Sequence, residues 1–172
     1  MGSGSQEFVR VYEEHVWHVY GFFGYRGRSR EECEDLTQQT FERALKAWKR
    51  FDPERASAKT WLLAIAHNLL VDHYRRGSTQ REMLTGEVVE DSRQTAPPAD
   101  SGLDLEPELE RSLSYLSDRE RELLALRYGG DLSGPEIAKL TGLTLANVQQ
   151  ILSRALRKLR ERLSPEPVRR GR

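Results

Sequence analysis

Three Ser-x-x-Glu motifs, beginning at Ser29, Ser117 and Ser133, constrain the fold of this chain more than any other sequence feature. In such a capping box the serine hydroxyl accepts a hydrogen bond from the backbone N–H three residues later. The glutamate carboxylate accepts one in return from the serine N–H, so each motif marks the start of a helix. No segment alternates apolar and polar residues with the period of two that a half-buried strand needs. The sequence therefore predicts an all-α fold.

Apolar residues at helical spacing predict three helices in the first half of the chain. The first covers residues 8–25, and the second follows the first capping box with an apolar stripe that includes Phe41 and Leu45. The third covers residues 60–76 and is apolar enough to be packed on several sides. Gly77 directly after it is a typical stop signal for a helix.

An acidic segment, residues 81–106, separates two helical blocks. It contains 2 basic and 7 acidic residues, includes the turn-forming stretch TAPPADSG and lacks helical periodicity. Loops of more than about 15 residues are uncommon inside one compact domain. The sequence thus predicts two small helical domains, residues 6–80 and 107–163, joined by a flexible acidic linker and followed by a tail at residues 164–172.

Composition excludes several classes of protein. Of the 172 residues 31% are charged and 37% are hydrophobic, and no apolar run approaches the ~20 residues that span a bilayer. The N-terminus lacks the basic segment and apolar run of an export signal. The single cysteine, Cys33, excludes an intramolecular disulfide and a cysteine-based metal cluster. We therefore expect a cytoplasmic protein without membrane insertion.

Residues 134–153 combine the features of a helix-turn-helix. Ala138 is small where two helices must cross closely, and Gly142 lies at the turn, where a positive φ is favoured. Val148 can fix the second helix against the first, and Thr144 can cap the start of that second helix. In this motif the second helix enters the major groove of DNA.

The second helix of this motif has an apolar side and a polar side. We expect the apolar side to face inward; it consists of Leu145, Val148, Leu152, Leu156, Leu159 and Leu163. Asn and Gln pair bidentately with adenine and Arg with guanine, and the basic residues between positions 153 and 163 suit DNA phosphates. The cap and the outward side are therefore predicted to contact DNA through Thr144, Ala146, Asn147, Gln149, Gln150, Ser153, Arg154, Arg157 and Lys158.

Three segments in a fixed order resemble one bacterial family: DLTQQTFERALKAWKRF, TWLLAIAHNLLVDHYRR and, after the acidic segment, LSDRERELLALRYGGDLSGPEIAKLTGL. They resemble RNA polymerase sigma factors of the extracytoplasmic-function (ECF) group of the sigma-70 family. The resemblance covers about residues 8–163. It implies a sigma-2-like helical bundle and a sigma-4-like helix-turn-helix domain, in a factor that binds core polymerase and directs promoter-specific initiation.

The resemblance also implies roles for residues of the first domain. The segment that binds the clamp helices of the polymerase β′ subunit contains Asp35, Gln38, Gln39 and Glu42, although the family usually has an acidic residue where Gln39 stands. Residues 51–59 and the helix after them match the part that opens the −10 promoter element. The residues implied in −10 recognition are Trp61, His67, Asn68, Arg75 and Arg76, of which Trp61 also suits the hydrophobic core.

Further partners follow from the same resemblance. The second domain is implied to read the −35 element as duplex and to contact the flap of the polymerase β subunit. ECF sigma factors are commonly held by an anti-sigma protein, so such a partner is implied as well. The family often has Lys or Arg where Gln149 stands and another near Ile151. We therefore expect −35 contacts that depend on amide–base pairing, with phosphate contacts moved toward Arg154, Arg157 and Lys158. The acidic segment either mimics nucleic acid in a basic channel or is a solubilising spacer.

An enzyme, a stand-alone regulator or a sigma mimic would have features that differ from those of a sigma factor. The clusters His15/His18 and His67/Asp72/His73 lack the Glu-x-x-His companions of a helical metal site. No glycine-rich phosphate loop or G-x-S-x-G motif is present. We expect no catalysis, metal or cofactor. A stand-alone regulator would have an apolar ligand pocket within residues 8–76 and bind promoters without polymerase. A protein that only mimics a sigma factor would bind polymerase without supporting transcription.

Overall fold

Three long helices make up the first half of the chain in a computed structural model, which describes residues 2–85 and 102–164. The helices are α1 (Ser3–Tyr25), α2 (Arg30–Ala47) and α3 (Ala58–Thr85), with one 3₁₀ turn (Trp48–Arg50) after α2. The two described ranges contain no β-strand. The prediction of an all-α fold is confirmed.

Four helices, the last of them the longest, form the second half. They are α4 (Pro107–Ser114), α5 (Asp118–Leu124), α6 (Gly134–Thr141) and α7 (Leu145–Leu163), and a π-helical turn (Ala125–Gly129) continues α5. The proline that begins α4 has no N–H, which costs nothing at a position without a helical hydrogen-bond partner. None of the described helices has the length and apolarity that a bilayer crossing requires.

The local signals for helix starts are confirmed. In all three capping boxes the serine side chain and the glutamate side chain form the expected reciprocal hydrogen bonds with the backbone. Thr144 caps α7 by accepting a hydrogen bond from the N–H of Asn147. Gly142 ends α6 with a φ of 73°, in the left-handed region. The helix-turn-helix pattern therefore folds as its sequence predicts.

Two expectations about helices are wrong. Helix α3 does not stop at Gly77 but continues to Thr85, since a glycine inside a helix costs only about 1 kcal/mol. The apolar stripes are also narrower than predicted. Leu45, Leu145, Leu156 and Leu163 are exposed, whereas Ala155, outside the predicted stripe, is fully buried. A small residue allows α7 to lie close to its neighbours there, and larger residues beside it remain at the edge of the contact.

The two halves share one hydrophobic core. Phe22 and Phe23 of α1 and Leu63 of α3 are fully buried in the same cluster as Leu126 and Ile137 of the second half. A smaller cluster lies mainly within the second half, around Leu113, Leu116, Leu124, Ala155 and Leu159. The halves are therefore packed directly against each other.

Two glycines allow backbone to meet backbone where α1 crosses the π-helical turn. A Cβ atom added to Gly129 would lie 2.5 Å from the carbonyl oxygen of Gly21 and 2.7 Å from the backbone nitrogen of Phe22. Ordinary contacts of a Cβ atom are 3.4–4 Å long. The position of the second half against α1 thus depends on the missing side chain of Gly129.

Residues 102–106, predicted to be linker, pack on the first half. The N–H of Gly102 donates to the carbonyl of Arg28 at 3.0 Å, and the carboxylate of Asp104 lies 3.3 Å from the guanidinium of Arg30. The side chain of Leu103 lies against Gly24 of α1. The remainder of the predicted linker beyond α3, and the tail after residue 164, lie outside the described residues.

Candidate nucleic-acid and polymerase interface

Helices α6 and α7 meet at a turn that fixes the direction of α7. Ile137 of α6 and Val148 of α7 are fully buried, so the two helices are locked together near their junction. A Cβ atom added to Gly142 would meet nothing within 4 Å. The positive φ, rather than crowding, is therefore what favours glycine at this turn.

The polar side of α7 lies in solvent. Its opposite side packs through Val148, Ala155 and Leu159. Each predicted −35 contact is exposed, namely Thr144, Ala146, Asn147, Gln149, Gln150, Ser153, Arg154, Arg157 and Lys158. Amide groups come first along the helix and guanidinium groups follow. The amide groups therefore lie near the N-terminus of the helix, and the guanidinium groups lie one to two turns behind them.

Lys158 differs from the rest of this side because its ammonium group is already paired. The Nζ atom lies 2.7 and 3.0 Å from the two carboxylate oxygens of Glu120. Burial alone would raise the pKa of Glu120, but the hydrogen bonds from Lys158 and from the N–H of Ser117 lower it overall. Lys158 thus ties α7 to the start of α5, and a DNA phosphate would share it with a carboxylate.

Trp61, at the start of α3, lies in an aromatic cluster. Its ring centroid is 5.0 Å from that of Phe51 and 6.0 Å from that of Trp48. Trp48 and Phe51 stack, with 5.0 Å between centroids and 14° between planes. Trp61 is partly buried against the main core. The structure therefore gives Trp61 the packing role that its sequence position also allowed, and anchors the loop before α3 through stacked rings.

His67 points at the second half of the protein. Its Nε2 atom lies 2.5 Å from Oε1 of Glu122, whose other oxygen is 2.9 Å from the guanidinium of Arg119. Burial alone would raise the pKa of Glu122, but the hydrogen bond and charge of His67 lower it overall. The remaining −10 candidates, Asn68, Arg75 and Arg76, are exposed on α3.

Sequence reasoning missed the residues of the second half that contact the predicted −10 segment. Besides Glu122, these include Asp131, whose backbone carbonyl and carboxylate lie 2.7 and 3.2 Å from Nζ of Lys59. The ammonium of Lys139 donates to the carbonyl of Arg55 at 2.7 Å. Such contacts join positions far apart in sequence, and no local periodicity or motif encodes them.

The four predicted polymerase contacts share one exposed side of α2; they are Asp35, Gln38, Gln39 and Glu42. The amide of Gln38 donates to the carboxylate of Glu42 at 2.9 Å. Phe41 between them is buried, with its ring edge-on to Phe8 and Tyr12 of α1 at centroid distances of 6.4 and 4.7 Å. Helix α2 is thus anchored to α1 on one side and presents polar groups on the other.

An open groove of about 850 Å³ between α1 and α2 adjoins these polar groups. Its walls include Tyr12, Trp17 and Leu45, together with Gln38 and Glu42. Trp17 is 74% exposed and Leu45 is 56% exposed. Sequence reasoning did not single out Trp17, although it lies outside the buried stripe of its helix. A large aromatic residue at such a position is a usable signal for a partner surface.

A histidine pair and a buried cysteine are the remaining groups that could bind a metal or react as a thiol. The Nδ1 atoms of His15 and His18 are 3.4 Å apart, and burial followed by the nearby His18 lowers the pKa of His15. No three metal-ligating side chains come together in residues 2–85 and 102–164. Cys33 is fully buried, and burial raises the pKa of its thiol to about 12, which suits a packing role.

Comparisons with known families agree with this geometry. The model of Sigma-70 region 2 matches residues 11–80, and the model of Sigma-70, region 4 matches residues 112–161. The two matches fall on the two helical halves in the order predicted from the sequence. The two matched segments together cover most of the described residues, and the chain belongs to the sigma-70 family.

Similar proteins indicate the group within the sigma-70 family to which the chain belongs. The ECF RNA polymerase sigma factor BldN of Streptomyces coelicolor is 31% identical over 167 residues, which cover 96% of this chain and 63% of BldN. The chain therefore spans less than two thirds of that relative's length. The ECF RNA polymerase sigma factor SigC of Mycobacterium tuberculosis is 29% identical over 158 residues, covering 90% of this chain and 80% of SigC. Within the sigma-70 family the chain is a member of the ECF group.

Solved structures share the fold. The sigma factor RpoE from Bartonella quintana, in complex with the anti-sigma factor NepR, aligns with a TM-score of 0.72 at 23% identity, over 95% of this chain and 98% of RpoE. CnrH in complex with the cytosolic domain of CnrY aligns with a TM-score of 0.65 at 24% identity, over 91% of this chain and 87% of CnrH. The prediction of two helical units, sigma-2-like and sigma-4-like, is confirmed.

Proposed function

We propose that this chain binds core RNA polymerase and directs initiation at promoters whose −35 element it reads as duplex and whose −10 element it melts. The observation that carries the proposal is an exposed recognition helix on a helix-turn-helix, in one chain with sigma region 2. In this role the protein supplies specificity in the cytoplasm, and the polymerase supplies the chemistry.

The −35 contacts are assigned to the polar side of α7. Asn147, Gln149 and Gln150 present amide groups that match the donor and acceptor pair of adenine in the major groove. Arg154 and Arg157 follow one and two turns later, where they suit guanine or phosphate oxygens. Each bidentate base contact is worth about 1–3 kcal/mol of discrimination against the wrong base. Amide groups near the helix start support a preference for A·T pairs there.

The polymerase contacts are assigned to α2 and to the groove beside it. Acidic and amide groups of α2 suit basic residues on the β′ clamp helices, and the apolar wall formed by Trp17 and Leu45 suits an apolar helix surface. Contact of the second half with the β flap completes the attachment. The −10 strand is assigned to Lys59, His67 and Asn68 at the start of α3, with Arg75 and Arg76 further along the same helix.

A protein that covers these surfaces would act as an anti-sigma factor, and we propose such a partner. The support is that RpoE, which shares this fold, was solved in complex with the anti-sigma factor NepR. CnrH, which also shares the fold, was solved in complex with the cytosolic domain of CnrY. The exposed apolar groove between α1 and α2 is a surface that such a partner can cover.

Transcription by purified core polymerase on a library of genomic fragments tests the proposal. Addition of the full chain should produce transcripts from a subset of fragments that share two sequence elements. Gln149→Ala and Arg154→Ala should change the preferred upstream element and leave core binding intact. Polymerase-independent, tight promoter binding without any transcript would instead support a stand-alone regulator, and core binding without transcripts would support a mimic.

A further inference from the structure

Three arginine side chains lie together where α1 ends, beside the ring of Tyr74 on α3. The guanidinium carbons of Arg26 and Arg28 lie 5.9 and 4.7 Å from the centre of that ring, and Nη2 of Arg28 donates to the Tyr74 hydroxyl at 2.6 Å. The third side chain, Arg121 of α5, lies against the backbone between the first two, since Nη2 of Arg121 occupies the space that a Cβ atom on Gly27 would need. These three arginines form the arginine cluster.

Backbone carbonyls at helix ends hold two of the three side chains in place. Nη1 of Arg26 donates to the carbonyl oxygen of Asp118 at 2.9 Å, and Nε of Arg121 donates to that of Tyr25 at 3.0 Å. Carbonyls at the end of a helix carry partial negative charge, which attracts guanidinium groups. These bonds orient the side chains and leave most of their positive charge uncompensated. Side chains that are already ordered lose less freedom when a ligand binds.

One carboxylate forms an ion pair with the cluster within the described residues. Oε1 of Glu32 lies 3.4 Å from Nη1 of Arg28. Burial, and then the charge of Arg26, lower the pKa of Arg121, and the exposed carboxylate of Asp118 offsets this only in part. Like charges of the cluster therefore act on one another, and a further negative charge among them would be favourable.

Most N–H groups of the cluster have no acceptor among residues 2–85 and 102–164. Nε of Arg26 and Nε of Arg28 are buried and form no hydrogen bond there. Only 16% of the Arg28 side chain is exposed, so water compensates for little of this loss. Buried donors without acceptors destabilise a folded chain. A ligand that brings acceptors can approach past Tyr74, which is 42% exposed.

A phosphate group fits these donors in shape and in charge. Guanidinium groups form paired hydrogen bonds with the oxygens of phosphate, and several of them can share one phosphate group. Three guanidinium groups and the carboxylate of Glu32 leave two positive charges. A phosphate monoester carries a charge of about −1.5 to −2 at pH 7 and would balance them. A phosphate diester, as in a DNA backbone, carries a single negative charge and would balance about half.

We propose that Arg26, Arg28 and Arg121 bind the phosphate group of a small phosphate monoester where α1, α3 and α5 meet. None of the three arginines is among the residues assigned to DNA or to the polymerase. The inference therefore goes beyond the proposed function and does not depend on it.

Phosphorus NMR with the full chain tests the site, at constant ionic strength and pH 7.5. The probes are methyl phosphate, a monoester, and dimethyl phosphate, a diester of nearly the same size. Methyl phosphate should show line broadening that saturates, and dimethyl phosphate should bind at least about tenfold more weakly because it has one charge fewer. Methyl phosphate at about ten times its Kd should also raise the melting temperature by roughly 3–6 °C.

Two substitutions should change the affinity in opposite directions. Arg28→Gln removes a guanidinium group and should weaken methyl phosphate binding at least about tenfold. Glu32→Gln removes the competing carboxylate and should tighten binding about fivefold. Glutamine can still accept the hydrogen bond of the capping box, so the start of α2 is preserved. The matched controls, Arg10→Gln and Glu31→Gln, make the same charge changes at exposed positions and should stay within about twofold of the original chain.

The pair of opposite effects separates a ligand site from arginines that only stabilise the end of α1. A purely structural role predicts no saturable broadening and no tightening by Glu32→Gln, and either result overturns the inference. If Arg28→Gln fails to fold, Glu32→Gln still tests the site, because all three arginines remain. Equal affinity of dimethyl phosphate and methyl phosphate would assign the cluster to a diester such as a DNA backbone, and would equally overturn the assignment to a monoester.

Discussion

Gly129→Ala is the smallest change that should disrupt the contact between the two halves. The residue lies in the π-helical turn directly against α1. Its φ is not positive, so alanine fits the backbone conformation. Any effect of the substitution therefore comes from the space that a methyl group needs.

The structure sets the size of the effect. The added Cβ would lie 2.5 Å from the carbonyl oxygen of Gly21, and the shortest ordinary contact is 3.4 Å, so the backbones must separate by about 0.9 Å. Overpacking of a well-packed interior typically costs about 1–3 kcal/mol. Alanine also makes the unfolded chain less flexible than glycine does, which stabilises the folded chain by up to about 1 kcal/mol. We expect the free energy of unfolding to fall by about 1–2 kcal/mol. The contact between the two folded halves should weaken by the full steric cost of about 1–3 kcal/mol, a factor of roughly 5–150.

Small-angle scattering and urea unfolding of the full chain measure the two consequences. A compact chain of 172 residues should have a radius of gyration of about 16 Å, and separation of the halves should increase it. Gly21→Ala should have a weaker effect, because its Cβ would lie 3.0 Å from the carbonyl oxygen of Gly129. Gly77→Ala is the control, since its Cβ would meet nothing within 4 Å. If Gly129→Ala and Gly77→Ala gave the same radius and the same urea midpoint, the backbone contact would not exist in solution.

Three further predictions concern single side chains. Because burial raises the pKa of the Cys33 thiol to about 12, alkylation at pH 7.5, followed by mass spectrometry, should be slow until urea unfolds the chain. The N–H of Ser133 lowers the pKa of Glu136, so its contribution to stability is complete above about pH 4.5 and is lost as the pH falls through the lowered value. Thermal melts should show this loss, and Glu136→Gln should reduce it. Trp17→Ala should weaken core polymerase binding in a pull-down at least about tenfold without changing the melting temperature. Tyr128→Ala, at an exposed aromatic residue on the other half, should not weaken it.

Helix starts and the helix-turn-helix were predictable because local chemistry decides them. A capping box satisfies two backbone groups with two side chains inside four residues, so its outcome hardly depends on tertiary contacts. The left-handed Gly142 follows equally from the preference of one residue for one backbone conformation. The exposure of the polar side of α7 then follows from the burial of Val148 on the opposite side.

The errors arise where tertiary packing decides. Gly77 is compatible with both a helix end and a helix interior, and the difference of about 1 kcal/mol is small against the contribution of neighbouring packing. Leu45 and Trp17 line a groove because nothing in the described residues covers them. Periodicity identifies an apolar residue but not whether the surface that buries it belongs to the same chain.

The interface between the halves was invisible to sequence reasoning for a different reason. His67 and Glu122 are 55 positions apart, and Lys59 and Asp131 are 72 apart. The sequence shows each residue as an ordinary polar position on a helix or loop. Only their placement by the shared core around Phe22 and Leu126 brings these polar side chains together.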